Sequence, residues 1–173
     1  GVVNVDKNGC ALLKFQCPQI YKTTPKNHQK SKTYYRHLHF VMSNSEKTEW
    51  APQIYTKIVV CKLNLKKSMK MLHSGNFVFI NALPCEYYAK DHIPNSYNIS
   101  LSMAKSMSAA KLAEWMKQVV QLHYPHIHRA IKDKKINVQE IPIVVYCAHE
   151  KCNASEMVLE ELMKKGMVNI NEF

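Results

Sequence analysis

Two short runs of apolar residues constrain the fold of this chain more than any other feature of its sequence. One extends from Phe77 to Ile80 and the other from Ile141 to Tyr146, and neither alternates with polar residues. Such runs are typical of strands covered on both faces, as in parallel sheets with helices on each side. Between them the apolar spacing becomes helical, for example at Leu112, Met116 and Val119. Strands that alternate with helices predict an α/β domain with a parallel sheet.

Local patterns predict the other elements of this domain. We expect further short strands at Ile58–Cys61, at Tyr97–Leu101 and from Val168 onward. We expect helices at Leu63–Leu72, Pro84–Lys90 (or a turn), Ser102–Lys132 and Ser155–Lys165. Pro125 is expected to break or kink the third of these, because proline cannot continue a helix. Gly166 lies where a helix commonly ends on a glycine.

The first sixty residues have a different pattern, which is typical of antiparallel strands. The β-prone stretches are Val2–Asp6, Cys10–Cys17, Tyr34–Met42 and Glu49–Val60, and residues 6–9 form a hairpin-turn signal between the first two. We therefore predict a small β unit of about four strands at residues 1–56. The α/β domain then occupies residues 57–173.

The charge of the chain is strongly positive, with 24 Lys and Arg against 13 Asp and Glu and a net charge of +11. Only Arg36 and Arg129 are arginines, whereas base edges and phosphates are read best by the planar guanidinium. The scarcity of arginine thus disfavours nucleic acid as a partner. The lysines are spread along the chain, which predicts an ordinary solvated surface, with a face for an acidic protein partner as the alternative.

Compartment and membrane association follow from two other features. No apolar run approaches the roughly 18 residues of a membrane span, so we expect no membrane span. Six cysteines occur without a secretory signal or a dense cysteine framework. This indicates an intracellular, reducing compartment, the cytoplasm or an organelle matrix, in which a paired thiol motif is catalytic or redox-active more often than it is a structural disulfide.

Cys147 lies at the end of the strongest predicted strand, where the chain turns through a loop into the next helix. Sites in open parallel sheets form beyond the carboxyl ends of the strands. Amide N–H groups and the helix dipole at such a position stabilise a thiolate and lower the pKa of a cysteine. The alternative is a small buried side chain that only packs at the strand end.

Two stretches, in this order, resemble the signatures of rhodanese-like domains. The first comprises Phe77–Pro84, Glu86–Tyr88 and Asp91–Ser96, and the second Val145–Cys147, Asn153–Ser155, Leu162 and Gly166. The resemblance covers about residues 56–173. It implies a rhodanese-like parallel sheet flanked by helices, preceded here by the small antiparallel β unit.

The resemblance also implies a sulfurtransferase that needs no cofactor. Cys147 would take sulfane sulfur from a small anionic donor, of the thiosulfate type, and carry it as a persulfide to an acceptor. The amides of the following loop would hold the terminal sulfur anion; its residues are Ala148, His149, Glu150, Lys151, Cys152 and Asn153. Cys152 could instead resolve an oxidised Cys147 through a loop disulfide, or simply pack under the loop.

Three departures from the family pattern leave alternatives open. Asn81 and Leu83 stand where the family usually has an Asp–Arg pair that braces the fold, and the loop lacks the usual glycine and arginine. The sequence also ends at Phe173, where family members commonly continue through a Gly-Gly turn and a closing helix, so a trimmed domain or an excerpt is expected. These departures favour an inactive rhodanese-like module that serves as a structural or interaction subunit of a larger assembly. A phosphatase is disfavoured, because Asn153 replaces the arginine that would clamp a phosphoryl group.

The β unit carries a weaker resemblance of its own. Asp6–Gly9, Pro18–Tyr21, Arg36–Phe40 and Gln53–Tyr55 are similar to the His-x-His half of intradiol ring-cleaving dioxygenases. That family binds non-haem ferric iron, and the resemblance implies Tyr21, His37 and His39 as ligands. The alternative, a strand whose polar face carries two histidines, is the one we favour, so that no metal is expected.

Overall fold

The computed structural model describes residues 1–23, 31–149 and 151–173. The strands in these residues are β1 (Tyr21–Lys22), β2 (Thr33–Tyr34), β3 (His37–Phe40), β4 (Tyr55–Ile58), β5 (Cys61–Lys62), β6 (Val78–Asn81), β7 (Tyr97–Asn98), β8 (Ile143–Tyr146) and β9 (Ile170–Glu172). The helices are α1 (Leu65–Ser74), α2 (Cys85–Tyr88), α3 (Leu101–Ser106), α4 (Ala109–His123), α5 (Pro125–Lys132) and α6 (Ala154–Lys164), and Val138–Glu140 forms a 3-10 turn.

Strands β5 to β9 form one sheet in the order β5-β9-β8-β6-β7, and every neighbouring pair is parallel. The strand with the longest apolar run, β8, is therefore central, and the strand β9 separates it from β5. Parallel neighbours need crossover connections, which the helices provide. The predicted α/β fold with a parallel sheet flanked by helices is confirmed.

Consecutive residues of β6 and β8 point to opposite faces of the sheet, and both faces are covered. Val78, Ile80, Ile143 and Val145 pack on one face against apolar side chains of α3 to α6. On the other face, Phe79, Val144 and Tyr146 pack against α1 and Ile93. Because the sheet is buried on both sides, the apolar runs show no alternation, which explains why the sequence identified these two strands.

Local signals set the ends of several helices. The side chain of Asn64 accepts a hydrogen bond from the amide of Lys67 at the start of α1, and Gly75 ends that helix with a φ of 64°. Ser100 and Ser108 accept hydrogen bonds from amides in the first turns of α3 and α4. The cap at Ser100 starts a helix at Leu101, so the predicted strand at Tyr97–Leu101 is shortened to the two residues of β7.

The β unit differs from its prediction. Two separate antiparallel pairs form, β1 with β2 and β3 with β4, instead of one unit of about four strands. The turn at residues 6–9 is present, with the Gly9 amide donating to the Asp6 carbonyl over 3.0 Å. The flanking stretches at residues 2–6 and 10–17 are not strands. Their apolar side chains, such as Val2 and Leu12, are 75% and 78% exposed, and strand propensity needs a surface on which to pack.

Polar contacts join the β unit to the α/β domain. The Lys22 ammonium lies 2.6 Å from the Glu140 carboxylate, which also accepts a hydrogen bond from the Thr33 hydroxyl. The Arg36 guanidinium donates to the Ile170 carbonyl over 3.0 Å. The Tyr35 hydroxyl donates to the Met163 carbonyl over 2.7 Å. The strands β1 and β2 and the bend before β3 are therefore anchored beside the 3-10 turn and the start of β9.

A disulfide adds a covalent link between the two parts of the chain. Cys17 is bonded to Cys61, and their Cα atoms are 5.9 Å apart across a sequence separation of 44. The cysteine pattern predicted thiols in a reducing compartment, and this disulfide departs from that prediction, because proximity across so long a separation is invisible in the sequence. In the described residues, no helix combines the length and apolar character needed to cross a membrane.

The candidate active site at Cys147

Cys147 lies directly after β8 at the carboxyl end of the central strand, and its side chain is half-buried. Its sulfur is 3.3 Å from the hydroxyl oxygen of Ser155 in the first turn of α6. It is also 3.2 Å from the carbonyl oxygen of Cys152 and 3.7 Å from that of His149. The strand, the loop and the helix thus meet at one thiol, as the sequence predicted for this edge of the sheet.

Behind the thiol, Ser155 is bound to a buried acid. The Ser155 hydroxyl donates to Oε1 of Glu172 over 2.9 Å, and both residues are buried. The other carboxylate oxygen of Glu172 is 3.3 Å from the ammonium of Lys62 in the edge strand β5. Residues from β5, β9 and α6 therefore form one chain of polar contacts that ends at the sulfur of Cys147, just after β8.

Opposing effects act on the pKa of the Cys147 thiol. Burial by itself raises this pKa, because it disfavours the charged form. The side chain and then the amide of Ser155 lower it, followed by the side chain of Cys152 and the backbone at His149, and the net effect is a lowered pKa. A larger thiolate fraction at neutral pH follows, and the thiolate is the nucleophilic form of cysteine.

Of the described loop residues, His149 and Cys152 present carbonyl oxygens to this thiol. Ala148, His149, Lys151 and Asn153 are exposed and Cys152 is half-buried, whereas Glu150 lies outside the described residues. The Cys152 amide donates to the His149 carbonyl over 2.9 Å and closes a turn. Carbonyl oxygens of that turn face the sulfur, so an anion bound there would require the turn to open.

Amide side chains brace the loop after β6, at the place where the sequence lacks the Asp–Arg pair of the family that it resembles. The side chain of Asn81 accepts a hydrogen bond from the Leu83 amide over 2.8 Å. Asn98 of the neighbouring strand β7 donates to the carbonyls of Leu83, over 2.7 Å, and Asn81, over 3.2 Å. Sequence reasoning missed Asn98, and the only available signal was its place on a short strand beside β6.

The structure brings together the three residues that the weaker resemblance singled out in the β unit. Nε2 of His37 is 3.1 Å from Nε2 of His39 and 3.5 Å from the Tyr21 hydroxyl. Nδ1 of His37 is 2.7 Å from the Tyr35 carbonyl, which can only accept a hydrogen bond. This contact places the proton on Nδ1 and makes Nε2 the acceptor nitrogen, which can accept a hydrogen bond from His39 or Tyr21 or bind a cation.

The spacing of these atoms fits a shared metal ion. Two donors bound to one ion at about 2.0–2.1 Å lie about 3–3.5 Å apart, close to the separations observed here. Nδ1 of His39 is held by the Thr56 hydroxyl over 2.9 Å, a contact of the kind that orients metal-binding imidazoles. Among the described residues there is no cluster of three or more His, Cys, Asp or Glu side chains suited to a metal, so tyrosine would have to be the third ligand.

Comparisons with known proteins point to one family. The family model described as "Rhodanese-like domain" matches residues 64–172. No curated protein sequence matches the chain. A similar solved structure is the single-domain sulfurtransferase RDL2 of Saccharomyces cerevisiae, with 11% identity, 69% of this chain and 86% of that chain covered, and a TM-score of 0.46. Another is the human single-domain sulfurtransferase TSTD1, with 16% identity, coverages of 66% and 89%, and a TM-score of 0.43.

Proposed function

The chain belongs to the rhodanese-like domain family through residues 64–172, and from this premise we propose that it transfers sulfane sulfur through a persulfide on Cys147. The observation that carries the proposal is the position of this thiol. It is half-buried at the carboxyl end of the central strand, and its contacts lower its pKa. A nucleophile needs this combination of access and thiolate character.

The reaction has two balanced steps. The Cys147 thiolate attacks the outer sulfur of a donor such as thiosulfate, an S–S bond forms, and sulfite leaves with the electron pair of the donor's broken S–S bond. The cysteine then carries a persulfide anion. A nucleophilic acceptor attacks the terminal sulfur, the new S–S bond breaks, and the thiolate is restored. Lys151, exposed in the loop, would attract the anionic donor.

The test is the formation of thiocyanate from thiosulfate and cyanide, together with mass spectrometry of the peptide that contains Cys147. We expect turnover and an added sulfur on that peptide, and we expect Cys147→Ser to lose both. Cys85→Ser is the matched control, because Cys85 is an exposed free cysteine in the short helix α2, and it should keep wild-type turnover. Absence of both thiocyanate and the persulfide mass in the wild-type protein would contradict the proposal.

The geometry of the loop supports a second candidate, an inactive module that serves as an interaction subunit. Carbonyl oxygens of His149 and Cys152 face the sulfur, and the Cys152 amide is used within the turn. A persulfide anion needs donors at these places. This candidate predicts that Cys147 reacts with alkylating reagents but accepts no sulfur from thiosulfate. Persulfide formation at Cys147 would eliminate it.

The contacts of Tyr21, His37 and His39 favour a metal site in the β unit as a separate candidate. The family match begins at residue 64 and gives no support to the dioxygenase resemblance, so the argument rests on the three converging donor atoms. A bound ion would supply Lewis-acid or redox chemistry there. We expect Zn²⁺ or Fe³⁺ to bind at a ratio of one per chain in a titration followed by calorimetry, and the paired variant His37→Ala and His39→Ala to abolish binding. A His73→Ala control on α1 should leave it intact, and equal binding by both variants would rule the site out.

A further inference from the structure

The hydroxyl of Ser155 lies between two groups, each of which can accept its hydrogen bond. Its oxygen is 3.3 Å from the sulfur of Cys147 and 2.9 Å from Oε1 of Glu172. A serine hydroxyl has one proton to donate, and an ionised carboxylate can only accept. Ser155 can therefore donate to Glu172 or to the sulfur of Cys147, but not to both at once.

The atom to which Ser155 donates its hydrogen bond determines whether the neutral thiol or the thiolate of Cys147 is stabilised. While the hydroxyl donates to Glu172, three acceptors face the sulfur of Cys147, namely the Ser155 oxygen and the carbonyls of Cys152 and His149, and the thiolate loses its hydrogen bond from the Ser155 side chain. The S–H group satisfies such acceptors, whereas a thiolate is repelled by them. When the hydroxyl turns to the sulfur, it stabilises the thiolate instead.

Lys62 weakens the hydrogen bond that Glu172 accepts from Ser155. Its ammonium is 3.3 Å from Oε2 of Glu172, and its side chain is 76% exposed at the edge of the sheet. It lines a groove of about 340 Å³ together with Glu172 and two other acids, Glu156 and Glu160 of α6. A cation that binds Glu172 from this side weakens the carboxylate as a hydrogen-bond acceptor. The Ser155 hydroxyl then donates more readily to the sulfur of Cys147.

We propose that Glu172 is a positioning residue that governs, through Ser155, how readily Cys147 loses its proton. Lys62 weakens the hydrogen bond between Glu172 and Ser155 and so reduces this effect. The inference deepens the proposed sulfur transfer and rests on it for its biological meaning. No covalent step is involved, because the only change is which atom accepts the hydrogen bond of the Ser155 hydroxyl.

The loop after β8 carries further charged or titratable side chains, and these can act on the sulfur without passing through Ser155. They are His149, Lys151 and Cys152, with Glu150 outside the described residues. A comparison of single and double variants removes their contribution, because the loop is the same in all of them.

The experiment measures the alkylation rate of Cys147 by iodoacetamide as a function of pH, with the modified peptide quantified by mass spectrometry because Cys10, Cys85 and Cys152 are also free. Glu172→Gln should move the midpoint of this profile to lower pH by about one unit, a tenfold change in the thiolate fraction below the midpoint. Ser155→Ala should move it to higher pH. The double variant should match Ser155→Ala alone.

Two results would overturn the proposal. If the alkylation profile of Glu172→Gln has the same midpoint as wild type, Glu172 does not affect the ionisation of Cys147. A Glu172→Gln shift that persists in full in the Ser155→Ala background would show that the charge acts through space rather than through the hydroxyl.

An exposed lysine supplies a second measurement that does not disturb the core. Lys62→Met should move the midpoint to higher pH, since Glu172 then holds the Ser155 proton more strongly. Lys57→Met in β4, also at an exposed lysine, should leave the midpoint unchanged. If Glu172→Gln fails to fold, the Lys62→Met result decides, and an unchanged midpoint would overturn the proposal. Alkylation needs no sulfur donor. If the midpoints shift as expected but no thiocyanate forms, the proposed sulfur transfer is wrong and the proposed role of Glu172 still stands.

Discussion

Replacing Glu140 by Gln tests how the β unit is held on the α/β domain. Glu140 is 1% exposed, and its Oε2 atom accepts hydrogen bonds from the Lys22 ammonium over 2.6 Å and from the Asn137 amide over 2.9 Å. The Thr33 hydroxyl binds its other carboxylate oxygen. A glutamine keeps the shape but loses the charge and one acceptor oxygen, so contacts on both sides of the boundary weaken together.

The expected loss is about 2 kcal/mol of the free energy of unfolding. Exchanging a charged for a neutral hydrogen bond to Lys22 costs about 1 kcal/mol, because Lys22 is 37% exposed and partly screened by water. Losing one acceptor for a buried donor costs about 1 kcal/mol more. For a chain of this length, the melting temperature should fall by about 4–8 °C.

The pH dependence of this loss has a defined sign. Burial raises the pKa of Glu140, but the hydrogen bonds from Lys22, Thr33 and Asn137 outweigh burial and hold the pKa below its ordinary 4.5. A carboxyl whose pKa is lowered on folding stabilises the protein above the unfolded pKa and loses this contribution as the pH falls through the folded pKa. The stability gap between wild type and Glu140→Gln should therefore be full at pH 7 and should close in acid.

Urea unfolding followed by tryptophan fluorescence at several pH values measures this gap. Glu114→Gln is the matched control, because Glu114 pairs with Lys117 over 3.7 Å while both side chains are exposed, and it should change stability by less than about 0.5 kcal/mol. The reasoning is refuted if Glu140→Gln is no more destabilising than Glu114→Gln, or if the gap stays the same in acid.

Three further changes test other parts of the structure. Phe79→Ala removes a side chain that is 1% exposed beneath α1 and should cost about 3–5 kcal/mol in urea unfolding, and a cost below 1 kcal/mol would contradict the packing described. Asn98→Ala leaves two carbonyls of the turn after β6 without their donor and should cost about 1–2 kcal/mol, measured in the same way, whereas an unchanged stability would mean that water replaces the amide. Cys17→Ser removes the disulfide to Cys61 and should lower the stability of the oxidised protein by about 2–4 kcal/mol, with no effect of the substitution once wild type is reduced.

The sequence was sufficient for features that depend on burial along the chain. The strands β6 and β8 lie within a residue or two of their predicted positions, because uninterrupted apolar runs have few other stable environments. The position of Cys147 after β8 followed from the same runs. Pro125 does separate two helices, α4 and α5, as its fixed backbone predicts.

Features that depend on contacts between distant residues could not be predicted in this way. The pairing of Cys17 with Cys61, the brace from Asn98 and the contact of Glu172 with Ser155 each join residues whose proximity arises only after folding. Strand propensity also failed at residues 2–17, because the apolar side chains there have no surface to cover them among the described residues. The convergence of His37 and His39 followed from strand alternation, but the approach of Tyr21 did not.

The strand order has a consequence for how the chain folds as it is synthesised. β9 lies between β5 and β8 and pairs with both, so Cys61 finds its partner Asn171 only after everything between them has been translated. Until then the edge of β8 is open, and Glu172 has not yet reached Ser155. A nascent chain on the ribosome thus contains Cys147 before it contains the acid that governs it. The reactivity of this thiol therefore reports whether β9 has joined the sheet, and alkylation of Cys147 in stalled chains of increasing length would time that step.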